Sequence, residues 1–166
     1  MALSLRSIMT QSNQDLEAFH EEQARNYLDH IRAVGAKLRV INGEIEQLNS
    51  QLTLSGIDYN EHVSGGMVNK DAIPDGVARM VELIDEYRAQ QLDYVKEQAV
   101  FHDVLDALDE QSALIISQRW IENNPWDQVA EVIGYSRVHV HRLLHAALQE
   151  VYVYMPAEYK SVQKAV

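Results

Sequence analysis

Apolar letters recur through the first third of the chain at alternating intervals of four and three. Tyr27, Ile31, Val34, Leu38, Ile41, Ile45, Leu48 and Leu52 keep this spacing without a break, and the residues between them are mostly Arg, Lys, Asn, Gln, Glu and Asp. On a helix these positions share one stripe, the a/d seam of a coiled coil. Gly35 and Gly43 interrupt the helix-forming letters, at about 1 kcal/mol each relative to Ala, so the stripe needs a partner to persist. That partner is visible downstream. Val77, Met80, Ile84, Tyr87, Gln91, Tyr94, Gln98, Phe101, Leu105 and Leu108 repeat the spacing. Two seams of matching length predict an antiparallel, coiled-coil-like hairpin with helices over about 15–52 and 75–109. Gln91 and Gln98 either fix its register or sit at a thin edge of it, and the pattern leaves both readings open.

Punctuation sets the remaining boundaries. Between the seams, Ser55-Gly56, Ser64-Gly65-Gly66 and Asn69 lead to Pro74-Asp75-Gly76, which reads as a long loop over 53–74 with Pro74 at the start of the second helix. Residues 1–14 precede the first seam and read as a flexible N-terminus. Asp109 or Ser112 starts a further helix through Ile121, Asn123-Asn124-Pro125 separates it from the next helical pattern, and Met155-Pro156 ends the last helix. Tyr152, Tyr154 and Tyr159 near that end read as decoration of a frayed terminus rather than as a dimer contact. Four segments result: the N-terminus at 1–14, the hairpin at 15–109, a helical module at 110–155 and a tail at 156–166.

Within that module, two short helical patterns are hinged at Gly134-Tyr-Ser136. Val129, Ala130 and Ile133 give the first an apolar face, Gly134 is free to take positive φ where it stops, and Ser136 can cap the next with its hydroxyl. Val140, Leu143, Leu144, Ala147 and Leu148 then form a core stripe. The opposite face carries Arg137, Val138, His141, Arg142 and His145. This is the pattern of a helix-turn-helix, whose second helix enters the major groove of DNA. Ser136 and Arg137, at the helix start, suit backbone phosphates; Val138, His141 and Arg142 suit base edges; His139 and His145 flank them. Trp120 and Trp126 read as core at the junction of the short helices.

The segment from Trp126 to Leu148 resembles the fourth region of bacterial sigma factors, in which a short helix is followed by a Ser- or Thr-capped reading helix closing on an Ala-Leu pair. Upstream, Ile116-Ser-Gln-Arg-Trp120-Ile121 and Asn124-Pro-Trp126 are similar to the lead-in of small sigma-like regulators encoded by phages of Gram-positive bacteria, the ArpU and RinA type of late-gene activator; Trp120 stands where that pattern usually has Tyr. The resemblance covers roughly residues 20 to 151, with its strong motifs in the C-terminal third. It implies sequence-specific binding of double-stranded DNA, transcriptional activation rather than catalysis, and RNA polymerase as a candidate partner. Nothing resembles the part of a sigma factor that melts DNA, so activator describes the expectation better than sigma factor.

Charge complicates this picture. The 166 residues carry a formal net charge of −11, whereas DNA affinity rests largely on Lys and Arg. Much of the excess lies between Arg79 and Glu110, where Glu82, Asp85, Glu86, Asp93, Glu97, Asp103, Asp106, Asp109 and Glu110 face only Arg79, Arg88 and Lys96. From Ser117 to Val151 the balance is nearly even, with Glu122, Asp127, Glu131 and Glu150 against Arg119, Arg137 and Arg142. So weakly basic a module calls for a second copy, joined through the hairpin, or for a partner already on the promoter. Histidines near phosphates further predict that DNA affinity rises as pH falls from about 7.5 to 6.

Other chemistries find little support. The chain has no cysteine, a reading compatible with a reducing, cytoplasmic setting, and no apolar run long enough for a membrane. His141 and His145 lie one turn apart, but two histidines without a third ligand do not make a zinc site, so neither a metal nor another cofactor is expected. No nucleophile elbow, phosphate-binding Gly-Lys motif or facing carboxylate pair appears, which argues against an enzyme. Two rivals remain. One is a phage DNA-packaging subunit of the small terminase kind, which also joins a helix-turn-helix to oligomerising helices. The other is a coiled-coil adaptor that binds protein and no DNA.

Overall fold

The computed structural model describes residues 2–54 and 75–160, and every principal element among them is helical. Helix α1 runs over Ala2–Leu54, α2 over Asp75–Ala107 and α3 over Glu110–Ile116; a π-helical turn, Ser117–Ile121, extends α3. Helices α4 (Trp126–Ile133) and α5 (Arg137–Tyr154) come next, and a short 3-10 turn, Ala157–Tyr159, closes the described chain. The fold is all-α. Helix α1 opens at Ala2 rather than near Asp15, in keeping with a run from Ala2 to Gln14 that contains neither Gly nor Pro. The Ser- and Gly-rich stretch and its role fall at 55–74, outside the described residues.

The chain divides into two compact units, Val34–Glu97 on one hand and Met1–Ala33 with Gln98–Val166 on the other, and α1 and α2 each contribute to both. In the first unit the 34–54 part of α1 runs antiparallel to the first part of α2. Val34, Ile41, Ile45, Leu52 and Ile84 of the two seams are buried. Gln91, within the apolar repeat, donates to Asn42 Oδ1 at 2.8 Å, and Lys37 lies over the Tyr94 ring, 5.9 Å from its centroid. The polar seam position is thus hydrogen-bonded across the pair, which favours one register over its neighbours.

The second unit holds the larger core. Ala24, Tyr27, Leu28 and Ile31 of α1 and Phe101, Val104 and Leu105 of α2 form one cluster with Leu108, Ile115, Ile116, Trp120, Leu144, Ala147, Leu148, Val151 and Met155. The division at 109/110 therefore separates two helices but not two cores. Helices of 7 and 8 residues cannot bury enough apolar surface alone, and this module borrows the ends of the long helices. Gln98 marks the same pairing, donating to the Ile31 carbonyl at 3.2 Å.

Just beyond Met155, Tyr159 packs against this core. Its ring is tilted against Tyr27 at 4.9 Å and His30 at 5.3 Å, and Tyr152 lies flat on His20 at 3.8 Å. The expectation that Tyr152 and Tyr159 decorate a frayed terminus is corrected by these contacts. Aromatic area of this size is too favourable to leave in water when an apolar ridge of α1 is adjacent.

Candidate nucleic-acid interface

Each end of the two short helices is fixed by local chemistry. Asp109 caps α3, its carboxylate accepting from the backbone N–H groups of Gln111 and Ser112, both at 2.9 Å. Asn123 takes positive φ, 58°, in the turn that leads to Pro125, a conformation Asn tolerates better than most residues. Pro125 then opens α4 with φ −65°. At the far end, Gly134 adopts φ 77° and its N–H bonds to Glu131 O, while the Tyr135 N–H returns to Ala130 O at 3.1 Å. That crossed pair is a Schellman closure, which needs a left-handed residue at the glycine position. Ser136 begins α5 by accepting the His139 N–H on its hydroxyl at 3.3 Å. The turn is built as the residue pattern predicts.

Packing sets the angle between α4 and α5. Val129, Ala130 and Val140 form a small buried cluster, with Ile133 and Trp126 against it. Trp126 also packs on the main core and meets Trp120 edge-on at 6.2 Å. Trp120 itself is buried, and the Arg119 guanidinium lies over the Trp126 ring, 5.2 Å from its centroid, while donating to the Asn124 carbonyl at 3.0 Å. The two indoles hold the short helices to the core, so α5 is presented on a rigid support.

On the outward side of α5 the candidate residues do not behave alike. Val138 is 65% exposed, so it does not fill the space between the two short helices. Ser136, Arg137 and Arg142 are exposed. The Ser136 hydroxyl accepts the cap bond and keeps its own hydrogen to donate. Arg137 leans on Asp127 at 3.3 Å, the two residues marking the first turns of α5 and α4. The histidines have separate partners: His139 stands edge-on to Tyr135 at 4.7 Å, half-buried His141 rests against Trp126 at 4.9 Å, and His145 Nδ1 meets the Glu21 carboxylate at 2.8 and 2.9 Å. Among the described residues no three His, Asp or Glu side chains are grouped to hold a metal ion.

Residues 104–152 match the family Sigma-70, region 4. The match begins inside α2 and ends inside α5, and the segment is a sigma region 4-like helix-turn-helix of the kind that binds double-stranded DNA. No curated protein and no solved structure matches the chain. No helix among the described residues is long and apolar enough to cross a membrane.

Three participants in this surface escape the linear reading. Glu21 on α1 occupies His145, Asp127 occupies Arg137, and Asp29 accepts from Trp120. The Asp127–Arg137 pair could have been anticipated, because the two residues open the consecutive helices of a tight turn. For Glu21 and Asp29 the sequence holds no signal: their partners lie 124 and 91 positions away.

Proposed function

We propose that this chain is a sequence-specific DNA-binding transcription regulator that reads the major groove with α5, and that it acts as an activator of the phage late-gene type. The observation that carries the reading is the coincidence of a region 4 match with a Ser136-capped helix whose Arg137, Val138 and Arg142 all face solvent. Arg142 carries no carboxylate among the described residues and lies one turn into the helix, where a guanidinium can pair with the O6 and N7 acceptors of guanine. Val138 offers an apolar contact for a thymine methyl. Ser136 and Arg137 approach phosphates, Arg137 exchanging its neighbour Asp127 for the DNA backbone. His141 supports the base-reading face from its place on Trp126, with His139 and His145 at its margins.

The expected setting is the cytoplasm, with RNA polymerase as the candidate protein partner. A second copy of this chain is a candidate source of the avidity that a weakly basic module needs. Selection from random duplexes gives the target, and gel shift with the full chain then tests the reading. Arg142→Ala is expected to lose at least about 1 kcal/mol on the selected duplex and little on an unrelated one. Equal loss on both would remove Arg142 from base reading, and no selected sequence at all would remove the function.

A further inference from the structure

The region 4 match starts at residue 104, yet the flank of α5 is covered by a helix from the other end of the chain. Along α1, Glu21 engages His145, Gln149 of α5 donates to the Glu17 carbonyl at 2.8 Å, and Asp29 accepts from Trp120 at 3.0 Å. Positions 21, 25 and 29 recur at intervals of one turn, about 6 Å each, on one ridge of that helix. A parallel run of contacts lies opposite: His145, then His141 one turn earlier on α5, then Trp126 at 4.9 Å from His141, then Trp120 at 6.2 Å from Trp126. Arg25 lies midway between Glu21 and Asp29 on this ridge, between the contact that α1 makes with His145 of the reading helix and the one it makes with Trp120.

No carboxylate pairs with it there among the described residues. Of the three carboxylates one turn away, Glu21 is turned to His145 and Asp29 to Trp120 and, at 3.5 Å, to Arg32, while exposed Glu22 forms no ion pair with Arg25. Arg32 is committed in addition to the Arg119 carbonyl, and Arg119 to that of Asn124. Arg25 is half-buried and, like the exposed Arg142, forms no ion pair among the described residues. A half-buried arginine can lay its methylenes on the support and keep its guanidinium in water.

We propose that Arg25 is a phosphate contact of the same DNA surface, so that α1 grips the backbone bordering the groove that α5 reads. The inference rests on α5 being the reading helix. A helix with its side chains, about 10–12 Å across, fills a major groove about 12 Å wide, so the groove walls fall against whatever element packs beside that helix. Here α1 is one such element, alongside α3 and α4. The placement also answers the charge problem, since it adds a free cation to a module whose own residues from 117 to 151 supply only three.

Binding of the full-length protein to its selected duplex and to an unrelated duplex of equal length, measured over a series of salt concentrations, tests this. Arg25→Ala is expected to weaken both by the same factor and to lower the slope of log affinity against log salt by about 1, whereas Arg25→Lys keeps the slope. An unchanged thermal midpoint for Arg25→Ala assigns the loss to the contact rather than to folding. An unchanged slope overturns the proposal even when Arg142→Ala behaves as a base reader. Should the wild type bind duplexes without sequence preference, the reading of α5 fails and the slope still decides for or against Arg25. If no duplex is bound, both fall.

Discussion

The indole N–H of Trp120 donates to Asp29 Oδ1 at 3.0 Å, a bond between residues 91 positions apart that ties the lead-in of the helix-turn-helix to α1. Trp120 is only 6% exposed, so its N–H depends on this acceptor, whereas Asp29 remains largely in water. Removing the acceptor should therefore cost more than a surface change of the same size. Asp29→Ala is expected to destabilise the fold by about 1–2 kcal/mol, the cost of leaving a buried donor unmade, and Asp29→Asn, which keeps an oxygen in place, by less. Denaturant midpoints at unchanged slope would show it; equal midpoints for all three proteins would mean that water serves the indole equally well.

A second polar link predicts how stability depends on pH. The Ser112 hydroxyl has one hydrogen for two acceptors, Asp109 Oδ2 at 2.8 Å and Glu150 Oε1 at 3.1 Å, while Glu150 Oε2 accepts the Asp109 N–H at 3.0 Å. Its hydrogen bonds, led by that with Glu150, hold the Asp109 carboxyl down at about 2, and burial followed by the Asp109 interaction pushes Glu150 above the usual 4.5. The signs are opposite. Asp109 stabilises the fold above its ordinary value and loses that effect as pH falls toward 2; Glu150 favours the fold in its protonated form, an effect complete below 4.5 and lost as pH rises through its raised value. Glu150→Gln, neutral at every pH, should therefore be more stable than the wild type at pH 7 and approach it near pH 4. Denaturant midpoints across that interval decide; a gap that widens on acidification contradicts the assignment.

The parts of the molecule that were legible from its letters are those governed by neighbours in the chain. The stripe from Tyr27 to Leu52 and the Gly134-Tyr-Ser136 turn depend on periodicity and on local backbone chemistry, and both form as the pattern predicts. What was hidden depends on contacts between distant segments. Nothing near Glu21 announces His145, and nothing in Tyr159 announces Tyr27, because a single stripe says which face is apolar without saying what covers it. The same limit explains the core that crosses residue 109. Two seams of the same spacing describe a self-sufficient hairpin, but Phe101 and Leu105 at one end also meet the short helices downstream, and only the folded arrangement shows this sharing.

Two glycines in helical surroundings should respond in opposite ways to one added methyl. At Gly43, inside α1, a Cβ would meet nothing within 4 Å, and the backbone is helical. Gly43→Ala therefore adds no clash and lowers the entropy of the unfolded chain, raising stability by about 0.4–1 kcal/mol. At Gly134 a Cβ would also meet nothing, yet φ is +77°. There the methyl opposes the left-handed backbone itself, and Gly134→Ala is expected to cost about 1–2 kcal/mol, with Gly134→Asn costing less. The second site also bears on function, because relaxing φ at Gly134 rotates the Ser136 cap and with it the start of α5. Gly134→Ala should lose affinity for the selected duplex even at temperatures where it remains folded, while Gly43→Ala binds as the wild type does. Thermal midpoints with gel shifts on both variants check the pair, and a Gly134→Ala protein of undiminished stability would refute the claim that the turn requires a positive φ.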